Sequence, residues 1–416
     1  MLSITEATLR TTPAAGAIRS FRASDAREVA ELLQRAFHAS DAPAPTGMLD
    51  YLCEVYLDAP WFDPDIASRV FVRADGRIVG FVGVSAMPMS LDGHRIRTAV
   101  ISSLAVDPRD ADSLTCPRLL RHVCAGPQEA VLSDRSNSSA VSLLQTLKGE
   151  VCRNYSAEWV RTLRPAGFAV DNMAGRFKAA RLLAALALPL DDATEKKAIR
   201  SEGTRRTAGR RARPADAFAD RSLGHDELLD LVPRFLADFP LRPEWTRAEL
   251  STVVSDASRK AVLGEFVSCV VEGPNSEPVG LFLYHLRRGR VAHVLQIMAA
   301  KGREAVVVGR AIAHASANGA VAIRGRAQPA LADALMDGGA AFLPDLATVV
   351  CTRDRHILEH FRAGTAFFTG LAGENWMRLN GDRFDSVGLL RRGLPFAAAA
   401  LLSRIVDLGA IESWSP

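Results

Sequence analysis

Three side chains in this sequence sit where they could take a proton from a reacting group. Asp134 directly follows an apolar run, residues 130–133, that reads as a strand. Glu54 lies on a predicted helix at residues 49–57, and His94 stands beside Gly93 at a predicted hairpin tip. Two have a structural alternative: a turn or helix cap for Asp134, a hairpin tip for His94. Cys116 falls at a predicted helix start, where the helix dipole favours a thiolate, but no base accompanies it in the sequence. His356 and His360 stand four apart and would share a helix face, yet the Glu of an H-E-x-x-H zinc motif is missing, so no metal ion is expected.

Composition narrows the classes that could use these groups. The chain has 416 residues, too many for one ordinary core, which predicts two units, with three as the alternative. Its net charge of +4 is too mild to argue for nucleic acid as a partner. The six cysteines are scattered, with no C-x-x-C pair and no secretory signal ahead of them, which fits free thiols in a reducing cytoplasm. No run of about 20 uncharged apolar residues would span a bilayer. Residues 177–189 and 387–408 are apolar with basic neighbours. They read as core or interface helices, with peripheral contact to the anionic inner membrane face as the alternative.

The elements that must position these groups can be read in order. Residues 1–16 form a flexible tail. A strand at 17–23 precedes Ser24 and Asp25, either of which can cap the next helix. Val29, Leu32, Leu33, Ala36 and Phe37 share that helix's inner face. Asp75-Gly76 and Asp92-Gly93 predict tight antiparallel hairpins. A long apolar strand then ends at Leu104-Ala105-Val106-Asp107-Pro108. A helix begins near Pro117, a strand follows at 130–133, and a helix at 139–147 is closed by Gly149. Residues 189–222, with Arg205, Arg206, Arg210, Arg211 and Arg213, read as a basic linker. The second half then repeats the first in outline. Val79-Gly80-Phe81 matches Val279-Gly280-Leu281, and Ala130-Val131-Leu132 matches Val321-Ala322-Ile323. The expected units are 17–188 and 223–416.

This order resembles the GNAT acyltransferase superfamily, from about residue 17 to 165 and again, more weakly, from 222 to 353. The resemblance rests on Ile18-Arg19 before Ser24-Asp25, on Val79-Gly80, and on the Leu104–Pro108 strand end. It also rests on Asn137, Ala140 and Leu143, which match the family's N-x-x-A-x-x-L. It implies an α/β fold of two GNAT-like domains, each a mixed, mostly antiparallel splayed sheet flanked by helices. It further implies acetyl-CoA or another acyl-CoA as co-substrate, no metal, and an acceptor amine or hydroxyl of unknown identity. Leu104, Ala105 and Val106 would offer backbone groups to the pantetheine arm. Asn137 would hydrogen-bond the same arm, with N-capping as its competing role. Arg118, with Arg109 and Arg121, would face the phosphates at a helix N-terminus. Asp134 would be the general base.

The sequence departs from the family at two places. Ala111, Leu114 and Cys116 stand where Q/R-x-x-G-x-G/A is usual, beside Asp110 and Asp112, which repel phosphate. Leu144 stands where many members carry a proton-donating Tyr, for which Tyr155 is a substitute from elsewhere. In the second copy, Lys301-Gly302-Arg303 reads as a plain helix start, with a phosphate or anion site as the alternative. Three functions stay open: a thioester-dependent acyltransferase, a Fem-type aminoacyl-tRNA-dependent transferase, and a catalytically degenerate binding or scaffold protein.

Overall fold

The computed structural model describes residues 16–109, 112, 114–176, 217–382 and 384. The apolar segments 177–189 and 387–408, the arginine-rich segment, Asp110 and Ala111 lie outside the described residues. In the first half the elements are β1 (Gly16–Ser20), α1 (Ala26–His38), α2 (Thr46–Tyr56), β2 (Arg69–Arg73), β3 (Ile78–Ser85), β4 (Pro88–Leu91) and β5 (His94–Val106). They continue with α3 (Thr115–Cys124), β6 (Ala130–Ser136), α4 (Ser138–Thr146), β7 (Glu150–Val151), β8 (Ala157–Thr162) and α5 (Pro165–Arg176). Both predicted hairpins form. Gly76 (φ 88°), Asp92 (φ 50°) and Gly93 (φ 86°) adopt the left-handed backbone that such turns need.

The second half supplies β9 (Ala219–Ser222), α6 (His225–Leu236), β10 (Leu241–Pro243), α7 (Arg247–Ser258), β11 (Glu265–Glu272), β12 (Pro278–Leu286) and β13 (Val291–Ala299). It ends with α8 (Glu304–Ala317), β14 (Ala322–Arg326), α9 (Ala332–Asp337), β15 (Ala341–Pro344), β16 (Ala347–Thr352) and α10 (Arg355–Ala363). Beyond α10, residues 366–377 run as irregular chain, touching β10 through a single bridge from Ala366 to Leu241.

These strands build two sheets of matching order. The first runs β1-β2-β3-β5-β6-β16-β7, with β4 and β10 off its path, and the second β9-β11-β12-β13-β14-β8-β15. Each half therefore lends one strand to the other half's sheet. β8 pairs antiparallel with β14 and β15, while β16 pairs with β6 and β7.

The outer face of each sheet has its own core. Leu119, Leu120 and Val123 of α3 cover one, and Val307, Val308, Ala311 and Ala315 of α8 cover the other. Gly80 and Gly280 allow this close packing, because a Cβ at either would overlap Thr115 or Val307 of the covering helix. The inner faces share one large core, joining Leu32, Tyr56 and Phe81 to Val232, Val253, Phe368 and Trp376. On α1 the predicted face packs inward through Val29, Leu32 and Leu33, but Phe37 remains exposed at the helix end.

Candidate functional site

In each sheet the two parallel strands part company. β5 and β6 pair only from Thr98↔Ala130 to Ile101↔Ser133. Beyond that β5 follows β3, and β6 follows β16. The cause is a bulge two residues past the last parallel pair. Opposite β3 the register slips between Phe81 and Gly83, and Ser103 takes φ 51°. An extra residue bends its strand and deepens the local twist, peeling β5 away from β6. β13 behaves alike. It pairs with β14 as far as His293↔Arg324, and its register with β12 slips between Leu283 and Tyr284, leaving Leu295 extra.

Only the second opening is sealed by a side chain among the described residues. Gln328 accepts from the backbone N–H of Ile297 (3.4 Å) and donates to its carbonyl (3.2 Å), as an added strand would. Gln296 beside it accepts from Leu371 N–H (3.1 Å). Gln328 stands four residues past the last parallel pair of β14. Counted from the last parallel pair, the β6 residue in Gln328's place is Asn137. Counted from the antiparallel neighbours (Gly80↔Val106, Gly280↔Ala299), the β5 residue in Ile297's place is Leu104. Asn137 is turned the other way. Its Oδ1 accepts from Ala140 N–H (2.9 Å) and caps α4. The edge of β5 is thus left open at Leu104 and Val106, while Ala105, paired with Phe81, turns its N–H and C=O toward β3.

Tyr56 of α2 marks the inner wall of that opening. Its hydroxyl lies 2.9 Å from Ser102 Oγ and 3.3 Å from Ser103 Oγ. Gly83 makes room for it, since a Cβ there would overlap the phenol. Burial among Phe21 and Phe81 pushes the Tyr56 phenol up to about 12, so it keeps its proton at neutral pH.

The outer end of the opening meets α3. Asp112 accepts from Leu114 N–H (3.0 Å), placing a carboxylate at this helix start. Arg118 lies 3.9 Å from Asp112 and rests over the Phe71 ring, half-exposed. Cys116 is no thiolate, because burial pushes it up to about 11. Leu144 is buried in the outer core.

The opening's inner end holds a cluster of buried charge drawn from both halves. Asp134 is fully buried, and Gly373 lies so close that a Cβ there would overlap its Oδ2. Arg326 reaches across from β14. It donates to the carbonyls of Asp134 (2.7 Å) and Tyr155 (3.0 Å), and lies 3.4 Å from Asp134 Oδ1. Glu374 follows on the irregular segment, 3.8 Å from Arg135. Burial first, then the nearby charge of Asp134, raise it to about 7, against the pull of Arg135. Lys260, which donates to Asn375 O, is lowered by burial to about 7. Asp134 Oδ2, Trp61 Nε1, Trp376 Nε1 and Thr369 Oγ1 are buried here without a hydrogen-bond partner among the described residues.

The other sequence candidates lie apart from this cluster. Glu54 is mostly exposed, 3.9 Å from Arg378. His94 is exposed on the hairpin after Gly93. Tyr155 is buried, donates to Ala366 O (2.7 Å), and is pushed up by burial, so its phenol is committed to the core. Glu374, Lys260 and Tyr56 were missed. Glu374 sits in a stretch without periodicity, and nothing in the sequence brings it near Asp134.

A sheet with a bulged strand splayed from its parallel neighbour is what the GNAT resemblance implied, and it occurs here twice. Solved structures similar to this chain include a conserved protein of unknown function from Enterococcus faecalis, described as a probable N-acyltransferase. It has a TM-score of 0.50 at 9% identity, over 81% of this chain and 72% of that one. A GCN5-related N-acetyltransferase from Anabaena variabilis has a TM-score of 0.49 at 11% identity, over 81% and 72%. One from Kribbella flavida has 0.46 at 11%, over 81% and 71%. No protein-family model and no curated protein matches the chain. The chain thus has the fold of the N-acyltransferases, at a sequence distance where the likeness speaks for fold alone.

Proposed function

We propose that this protein is an acyltransferase working at the first splay, with coenzyme A or a related thioester carrier as acyl donor and an amine or hydroxyl as acceptor. The observation that carries this reading is the contrast between the two openings. Ile297 is sealed by Gln328, whereas Leu104, its equivalent counted from the neighbouring antiparallel strand, faces an opening with Asn137 turned away. An extended pantetheine arm would take the place that Gln328 takes in the second sheet. The acceptor's nitrogen or oxygen attacks the thioester carbon and the C–S bond breaks. Glu374, raised to about 7, takes the acceptor's proton. Tyr56 supplies one to the departing thiolate through the Ser103 hydroxyl. Asp134 serves by keeping Glu374 basic, since two nearby carboxylates resist being charged together. Arg118 is the donor-side cation, once released from Asp112.

Donor binding is read from the melting temperature with millimolar acetyl-CoA. Ligand at about 100 times its dissociation constant adds ~2.7 kcal/mol of apparent stability. That gain should vanish in Val106→Pro, which removes an amide turned away from β3 at the open edge, while the variant still melts cooperatively. No shift at millimolar ligand would sink coenzyme A as donor. One observation favours a second reading, a binding protein that has lost the chemistry: Asp112 already places an anion at the α3 start. That reading predicts no shift and no transfer. The six free cysteines support a cytoplasmic setting. Among the described residues no helix is long and apolar enough to cross a membrane, and peripheral contact through segments 177–189 and 387–408 completes the proposal.

A further inference from the structure

The hairpin between β4 and β5 meets α10 far from the acyl-transfer opening, and three ligand-type side chains converge there. Oxygen Oδ2 of Asp92 lies 3.5 Å from His356 Nε2 and 3.6 Å from His360 Nε2. All three atoms lie within 4.8 Å of one another. The histidines stand one turn apart, their rings 5.0 Å centre to centre. A tetrahedral ion at about 2.1 Å from each donor spaces its donors about 3.4 Å apart, close to what is seen.

Thr365 Oγ1 lies 2.9 Å from His360 Nδ1 and 3.4 Å from the His360 carbonyl. When the hydroxyl donates to the carbonyl it accepts from the ring, and that tautomer carries its proton on Nδ1 and a lone pair on Nε2. This Nε2 is buried with no hydrogen-bond partner among the described residues. A lone pair facing a carboxylate oxygen is repulsive unless a cation lies between them. The threonine also does what outer partners of metal-bound imidazoles do, orienting the ring.

Each ligand rides on a fixed backbone. Asp92 takes φ 50° at the hairpin tip, and its N–H donates to Pro240 O (2.9 Å). α10 is capped by Asp354, whose Oδ1 accepts from His356 N–H (2.8 Å), and anchored by buried Ile357 and Phe361. Asp92 and His356 are largely exposed, which gives an ion a way in and leaves a position for water.

We propose that Asp92, His356 and His360 form a binding site for a divalent transition ion of the zinc type, with water completing the shell. The ion would clip the first half's hairpin to α10, whose C-terminus leads through Thr365 into the segment that carries Glu374. Histidine spacing could not reveal this site, because its third ligand comes from the other half of the chain.

The test uses the full chain dialysed against a chelator and titrated with zinc, then with cobalt(II). One equivalent of zinc should bind and raise the melting temperature, and cobalt should give the absorption of a four-coordinate N/O site. Asp92→Asn and His356→Ala, both at exposed positions, should abolish binding without unfolding the protein. Thr365→Val should weaken it roughly 10- to 100-fold. No binding at 100-fold excess zinc would overturn the proposal and leave a protonated imidazole as the cation between the groups. Binding that survives Asp92→Asn and His356→Ala would overturn it too, by placing the ion elsewhere.

Discussion

Glu374→Gln should abolish acyl transfer while making the folded protein more stable at neutral pH. The reasoning runs through proton linkage. Glu374 is raised from an ordinary 4.5 to about 7 in the folded chain. Between those values the unfolded chain has given up the proton and the folded one still holds it. The stabilising contribution is therefore complete below pH 4.5 and is lost as pH rises to 7. At 1.36 kcal/mol per unit, that loss is on the order of 3 kcal/mol. Lys260 runs the other way, lowered from 10.5 to about 7. Its contribution is complete above pH 10.5 and is lost as pH falls to 7, by a somewhat larger amount. The two limbs give a stability minimum near pH 7. Urea unfolding at pH 5, 7 and 9 measures it. Glu374→Gln should flatten the acid limb and Lys260→Met the alkaline limb. A profile without a minimum, or limbs that survive these substitutions, would refute the account of the cluster. A Gln variant that still transfers acyl groups at the wild-type rate would refute Glu374 as the base.

Three further substitutions test the geometry. Gln328→Ala should cost about 1–3 kcal/mol in urea unfolding, because it strands the buried N–H and C=O of Ile297, and should leave transfer at the first sheet unchanged. Asn137→Ala should lower stability by about 1 kcal/mol through the lost α4 cap. Its effect on donor affinity, read by calorimetry, should be less than twofold. Arg326→Ala should destabilise by about 3–5 kcal/mol, since it leaves the buried Asp134 carboxylate without its cation, and Asp134→Asn on top should recover part of that loss.

Much of the architecture was legible because its signals are local. Asp-Gly turns, apolar strands and capped helices each declare themselves within a few residues, and both halves show them in the same order. The Asn137 cap was visible for the same reason. The bulges were not, since Ser103 and Leu295 carry no glycine to betray them. Nor was the exchange of β8 and β16, because an alternating strand names the face it buries but not the sheet it joins. The inner cluster needed the fold outright. Asp134 could be picked from its place at the end of an apolar run, although the strand runs on past it to Ser136, but Arg326, Lys260 and Glu374 reach it from distant segments. Gln328 reads as an ordinary residue before a proline until its register is known.

The reciprocal strands also set an order on how this protein can be made. β8 leaves the ribosome early, yet both neighbours it pairs with, β14 and β15, are synthesised more than 150 residues later. Until then its two edges, and the edge of β6 awaiting β16, are open to any extended chain nearby. Chaperone cover during translation, and slow refolding dominated by distant contacts, should be the lasting signature of this topology.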